Sequence, residues 1–177
     1  MVTQAKTTAR RAALAARARA GLIDPSAQLL LLLEPLIATA VRVASYVPVG
    51  NEPGVTPKRG WLLPVLRADG DLDWASYDGQ LVPGPRGLLE PAGPRLGVEA
   101  VAGCDLVLVP ALRVDRAGHR LGRGGGAYDR ALPRVTGLVV ALLHDGELVD
   151  QLPTEPHDAR VHAAVTPSSG LVRLSRG

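Results

Sequence analysis

The sequence predicts an α/β fold in three layers, with helices on both faces of a mostly parallel sheet. Two observations carry this. Residues 41–47 (VRVASYV), 104–110 (CDLVLVP) and 137–143 (GLVVALL) are near-continuous apolar runs, the pattern a strand shows when both faces of its sheet are covered. The last two of these flank a glycine-rich stretch that opens into a helix, so strand, loop and helix come in the order of a layered α/β unit.

At 177 residues the chain is expected to form a single domain, residues 1–177, with room for a real core. Hydrophobic content of 46% against 21% charged fits an ordinary globule. The net charge of +3 conceals an asymmetry. Residues 1–20 hold five basic groups (Lys6, Arg10, Arg11, Arg17, Arg19) and no acid, leaving 15 basic against 17 acidic groups elsewhere. A body so balanced is not a general nucleic-acid binder.

Taken in order, residues 1–20 are rich in Ala and Arg and predict a basic helix. Lys6 and Arg10, four apart, share one helical face, which spacing alone reads as a solvated basic face. The stretch is Arg-rich and acid-free like a transit peptide, but Leu14 is its one large aliphatic residue after Val2, so its amphipathic character is weak. Asp24 as cap and Pro25 at the first helical position predict a second helix, ending near Pro35. The leucine run at residues 29–33 is far shorter than the roughly 20 residues a bilayer requires, and no membrane partner is expected.

After the strand at 41–47 comes the loop PVGNEPGVTP, at the carboxyl end of that strand, where open α/β sheets place ligands. It carries Glu52, which on its own reads as a solvated acid. Residues 61–66 predict the second strand. Trp74 and Tyr77 suit either a core or lid role or a stacking platform. GPRGLLEPAG, residues 84–93, reads as a fixed loop. Cys104 is the one cysteine, which excludes an intrachain disulfide and points to a reducing, cytoplasmic setting; at the start of a strand it reads as a buried, inert thiol.

RLGRGGGAYDR, residues 120–130, is the stretch with the most chemistry. Gly122, Gly124, Gly125 and Gly126 let backbone N–H groups converge on an anion, and Arg120 and Arg123 add planar donors for phosphate oxygens. The helix opening at AYDRAL favours an anion further. A carboxylate beside a polyphosphate needs a divalent cation between them, so Asp129 is a candidate Mg²⁺ ligand. No GK[ST] follows, which excludes a Walker loop, and the glycine spacing is not that of a dinucleotide turn. The stretch therefore predicts a polyanion site for a nucleotide with a metal.

Toward the end, His157 and Asp158 are adjacent, and on an extended chain they would point to opposite faces and not pair. His119, His144 and His162 lack zinc-like spacing and read as surface or loop residues. Residues 167–177 are rich in Ser, Gly and Arg and predict a frayed tail.

VPALRVDRAGHRLGRGGGAYDRAL, residues 109–132, resembles the signature of the 5-formyltetrahydrofolate cyclo-ligase family, which runs VPG, a short stretch to FD, G, then RLGRG-x-GYYD. The resemblance extends from Lys6 to Thr166. It implies a fold like that of the ribose-5-phosphate isomerase and CoA-transferase group, and conversion of 5-formyltetrahydrofolate with ATP and Mg²⁺ to 5,10-methenyltetrahydrofolate, ADP and phosphate. Carried over by residue, it implies nucleotide contacts from Lys6, Arg10, Arg120, Leu121, Gly122, Arg123, Gly124, Gly125, Gly126, Ala127 and Tyr128. It further implies folate contacts from Val47, Glu52 and Tyr128, Mg²⁺ contacts from Asp129 and Asp158, catalytic roles for Arg123 and Tyr128, and a monomer or weak homodimer. Trp74 and Tyr77 would lie near the pterin.

Three departures stand out. Family members place a helix after the Glu at position 52, and here that segment is shortened to VTPKRG; Ala127 replaces the first Tyr of GYYD; and His162 stands where many members have Asp. The first two keep open an alternative, a nucleotide- or folate-binding homologue of weakened turnover.

Overall fold

The structure is a computed structural model that describes residues 2–20 and 23–175. Helix α1 (Val2–Arg19) is followed by α2 (Ser26–Thr39). The strands are β1 (Val43–Ala44), β2 (Leu62–Leu66), β3 (Leu72–Ser76), β4 (Leu81–Pro83), β5 (Leu89–Pro91), β6 (Leu106–Pro110), β7 (Arg113–Asp115) and β8 (Arg120–Leu121). Then come the short helix α3 (Ala127–Ala131) and β9 (Leu138–Leu142), β10 (Leu148–Val149), β11 (Ala163–Thr166) and β12 (Gly170–Arg173).

The central sheet has seven strands in the order β12-β11-β9-β6-β1-β2-β3. Every pairing from β11 across to β2 is parallel, and an antiparallel strand closes each edge. Its buried residues alternate between two cores, as strand geometry requires. Leu106, Leu108, Val140, Leu142, Ala163 and Val165 face Leu29, Leu33 and Ile37 of α2. Val107, Val109, Val139, Ala141 and Ala164 face the other way, onto Val101, Ala131 and Leu132. The layered α/β architecture expected from the apolar runs is present.

Several local expectations are corrected. Helix α2 runs through Pro35 to Thr39, because Pro removes one intrahelical N–H without forbidding the turns beyond it. Asp24 does not cap the helix as its first residue; Pro25 holds that position, while an Asp24 carboxylate oxygen accepts the Ser26 N–H at 3.0 Å. The first strand shrinks to Val43–Ala44, since Val41 is 96% exposed and lies outside the sheet. Residues 72–76 form edge strand β3, and Trp74, 1% exposed, takes the core role left open for it and cannot stack on a ligand. GPRGLLEPAG contributes β5, paired with β4 in a hairpin. The tail is ordered through β12, which pairs residue by residue with β11; positions 176 and 177 lie outside the described residues.

Residues 45–61 cross from β1 to the parallel neighbour β2 without a helix. The sheet face that a crossover helix would cover is filled instead by Tyr46, Val55 and Trp61, packed into the α2 core. The Tyr46 hydroxyl donates to the Pro53 carbonyl and fixes this loop from within. Among the described residues no helix is long and apolar enough to cross a membrane.

The two leucines Leu31 and Leu33 make the dependence on burial measurable. Leu33 is fully buried and Leu31 is 75% exposed. Leu33→Ala should cost about 2–5 kcal/mol in urea unfolding, whereas Leu31→Ala should stay within about 0.5 kcal/mol of the parent.

Candidate active site

Strand β1 lies between β2 and β6, so the chain leaves β1 toward one side of the sheet and later enters β6 on the other. The chain therefore runs to opposite sides beyond the carboxyl ends of β1 and β6, and in open α/β sheets such a switch point is where the ligand crevice lies. The loop after β1 carries Glu52. The segment after β6 turns through the β7–β8 hairpin and delivers Arg120 and the glycines.

That hairpin is fixed by Asp115, only 2% exposed. Its carboxylate accepts the N–H groups of Ala117, His119 and Leu152 and lies 3.0 Å from His119 Nδ1. Arg120 is thereby held rigidly. Its Nη2 donates to Asp129 Oδ1 at 3.2 Å, its Nη1 donates to the Pro110 carbonyl, and its guanidinium stands 5.3 Å from the centre of the Tyr128 ring. Its buried Nε has no partner, a donor still unspent. Burial raises the Tyr128 hydroxyl above its ordinary value of 10.0, with Arg120 opposing, so the phenol stays protonated at neutral pH.

The glycine loop needs its glycines. Gly124 and Gly126 have φ of 102° and 71°, and a Cβ on Gly126 would fall 2.7 Å from the Arg130 Nη1. Arg130 Nη1 donates to the Gly125 carbonyl from the same side. Helix α3 spans only Ala127–Ala131, so the donors here are the loop N–H groups and the arginines rather than a long helix dipole. Leu121 is buried in the core and Ala127 packs against it, which limits what these two side chains can offer a ligand.

Arg123 and Glu52, 71 residues apart in sequence, meet at 2.6 Å across the crevice. Arg123 Nη2 also donates to the Val49 carbonyl, and Glu52 Oε2 accepts the Val49 N–H. Glu52 is thus not the solvated loop acid its position suggested: its side chain is 8% exposed, against 49% for Arg123. His144 Nε2 donates to the Asn51 carbonyl and pins the same loop to the end of β9. This histidine is buried within the loop that follows β9, so of the surface and loop readings the loop one holds. Val47, at the start of the loop that carries Glu52, is half-buried.

Helix α1 lies across the crevice edge and spends one face on it. Lys6 Nζ donates to Asp158 Oδ1 at 2.6 Å and to Glu155 Oε2 at 2.7 Å. Arg10 Nε donates to the Gly122 carbonyl, and Arg17 makes two contacts to Glu147 and one to the Ala111 carbonyl. Lys6, Arg10, Ala13 and Arg17 follow helical spacing, and Lys6 and Arg17 are each 5% exposed. The solvated basic face is therefore a buried one. The backbone turns at residues 156–157, which brings His157 Nε2 within 4.0 Å of Asp158 and 3.7 Å of Glu155 and overturns the expectation that His157 and Asp158 point apart.

Burial pushes the Asp158 carboxyl upward, but hydrogen bonds from Lys6 and from the Glu155 N–H outweigh it and hold the group below its ordinary 3.8. The Lys6 hydrogen bond likewise lowers Glu155. Asp129 and Asp158, expected to share a metal, each face a different cation here. Burial raises the Cys104 thiol to about 11, consistent with an inert core residue.

Residues 3–167 match the 5-formyltetrahydrofolate cyclo-ligase family. The chain belongs to this family. A 5-formyltetrahydrofolate cyclo-ligase of Mycolicibacterium smegmatis is 44% identical over 148 residues, covering 75% of this chain and 76% of that one. The NMR structure of Aquifex aeolicus 5,10-methenyltetrahydrofolate synthetase superposes with a TM-score of 0.79 at 28% identity, over 97% of this chain and 94% of that one. A Mycoplasma pneumoniae 5,10-methenyltetrahydrofolate synthetase shares the fold, with a TM-score of 0.67 at 19% identity over 90% and 96% of the two chains.

In this cyclo-ligase family member, sequence reasoning missed Arg17, Glu147, Glu155 and Arg130. The signal for Arg17 was present, since it continues the helical face of Lys6 and Arg10. Glu155 gave none, because its role depends on a turn two residues later.

Glu147→Ala strands the Arg17 guanidinium in the interior and should cost about 3–5 kcal/mol in chemical denaturation. The depressed Asp158 and Glu155 values set a second expectation. A carboxyl whose folded value is lowered adds stability above its unfolded value and loses it as pH falls through the folded one. The Lys6 clamp should therefore hold at neutral pH and release as pH drops below about 4. Hydrogen exchange along residues 2–10, corrected for intrinsic rates, should accelerate there ahead of β6 and β9.

Proposed function

We propose that this protein converts 5-formyltetrahydrofolate and ATP to 5,10-methenyltetrahydrofolate, ADP and phosphate with Mg²⁺ present. The observation that carries this reading is the Arg123–Glu52 contact. It joins a loop built for phosphate to a loop that carries the acid expected to meet the folate, so two substrates bound there would touch.

A formamide carbonyl is too weak an electrophile for the neighbouring nitrogen to close a ring on it. Attack of the formyl oxygen on the γ-phosphorus converts that oxygen into a leaving group and expels ADP. The nitrogen then adds to the activated carbon, loses its proton, and phosphate departs with the former formyl oxygen. Such a sequence asks the protein to position two substrates, neutralise charge and exclude water.

The chain's own groups suit these tasks. Arg120, with an unspent Nε, Arg10, Lys6 and the N–H groups of residues 122–126 bind phosphates. Arg123 neutralises charge on the transferred group once it leaves Glu52. Glu52, with Val47, then holds the folate. Tyr128, kept protonated by burial, donates at the junction. Asp129 and Asp158 offer the hard carboxylate oxygens that Mg²⁺ prefers. When bound, Mg²⁺ would supply positive charge to the phosphates. The alternative of a weakened binder loses its main support, because the shortened segment after Glu52 still covers its sheet face.

On mixing protein, Mg·ATP and 5-formyltetrahydrofolate, the methenylfolate absorbance should rise only with ATP present. Asp129→Ala should slow that rise by about 100-fold or more. No rise from the parent, with ATP still raising its melting temperature, would reject the enzyme and leave the binder.

A further inference from the structure

The Asp158 carboxylate has both oxygens engaged. Oδ2 accepts the Glu155 N–H at 2.7 Å, and Oδ1 accepts from Lys6 Nζ at 2.6 Å. The same ammonium group is held at 2.7 Å by Glu155 Oε2. Ligand atoms of Glu155, His157 and Asp158 lie within 4.8 Å of one another, so the lysine nitrogen is bound at a group of three potential metal donors. Lys6 Nζ sits on the oxygen that a metal ion at Asp158 would take. An ion on that oxygen would stand less than about 5 Å from the ammonium, where like charges repel strongly in a half-buried site.

We propose that Lys6 and a divalent metal ion are alternative occupants of the Asp158 carboxylate, and that Glu155 is the residue that holds the ammonium in place until the ion replaces it. This rests on the reading of Asp158 as a metal contact. Lys6 is a tethered cation that keeps two carboxylates neutralised in the empty protein. Arg10 and Arg17 fix α1 further along, so the exchange requires movement of the Lys6 side chain and not of the helix. The stem of Lys6 starts one helical turn before Arg10, whose guanidinium already reaches the glycine loop. Displacement thus releases a cation beside the phosphate loop at the moment a metal arrives, and metal and nucleotide favour each other's binding. Glu155 is a positioning residue in this scheme.

The test is Mn²⁺ binding to the nucleotide-free protein, read from the electron paramagnetic resonance of free Mn²⁺. Lys6→Met should bind Mn²⁺ about tenfold more tightly than the parent, the scale of one ion pair. Adding Asp158→Asn should return the affinity to the parent's level or below. Equal or weaker binding by Lys6→Met, or a gain that survives Asp158→Asn, overturns the proposal. A second measurement needs no variant. Lys6 and Lys58 are the two lysines of the chain, and Lys6 is 6% exposed in its side chain against 48% for Lys58. Mn²⁺ should speed acylation of Lys6 several-fold and leave Lys58 unchanged, read by site-resolved mass spectrometry; no change at Lys6 overturns the proposal. Neither readout uses turnover. A protein that shows the exchange but forms no methenylfolate rejects the functional reading alone, and an active protein without the exchange rejects this inference alone.

Discussion

Charge neutralisation within the crevice is the constraint on which the rest of the site depends. Lys6 faces Asp158 and Glu155, Arg120 faces Asp129, Arg123 faces Glu52, and Arg17 faces Glu147. So many ions gathered at one edge of a sheet would be prohibitively costly to desolvate unless each were matched. The matching has a chemical cost of its own. The arginines and carboxylates of this region are occupied by one another, so a ligand that took any of them would first have to displace its present partner. Two buried donors of these arginines, Arg120 Nε and Arg17 Nη1, are the exceptions and have no partner.

The sheet makes this convergence possible. Glu52 and Arg123 meet because β1 and β6 are neighbours in space although residues 45 to 105 separate them in the chain. The hairpin of β7 and β8, braced by Asp115, fixes where Arg120 emerges, and α1 closes the arrangement from outside. The β1–β2 crossover covers its sheet face without a helix, because Tyr46, Val55 and Trp61 supply the packing from the loop. Parallel pairing requires only that the chain return to the starting end and that the face be covered.

Much of this was legible in the sequence. The apolar runs announced the buried strands, and the glycine stretch announced a loop that opens into α3, since both signals are local. The edges were not. Strands β5 and β12 pair through backbone groups along segments that carry turn residues, so Gly and Pro read as loop where pairing supplied the order. Trp74 read as a core, lid or stacking residue alike because aromatic character does not reveal direction, and the inward face of β3 decides it for the core. The partners of Lys6, Arg17 and Arg123 were invisible for a different reason. Each lies on a separate element, and only the assembled fold brings them within reach.

The anchors of α1 lie far along the chain. Lys6 bonds to a residue 152 positions later, Arg17 to one 130 later and Arg10 to one 112 later. Contacts of that separation carry a large loop-closure cost and form only after the intervening chain has been made. During synthesis the helix therefore has its docking surface withheld until residue 158 has emerged, with the buried faces of Lys6, Ala13 and Arg17 still in water. The first helix to be made is thus held off its docking surface until most of the chain is present.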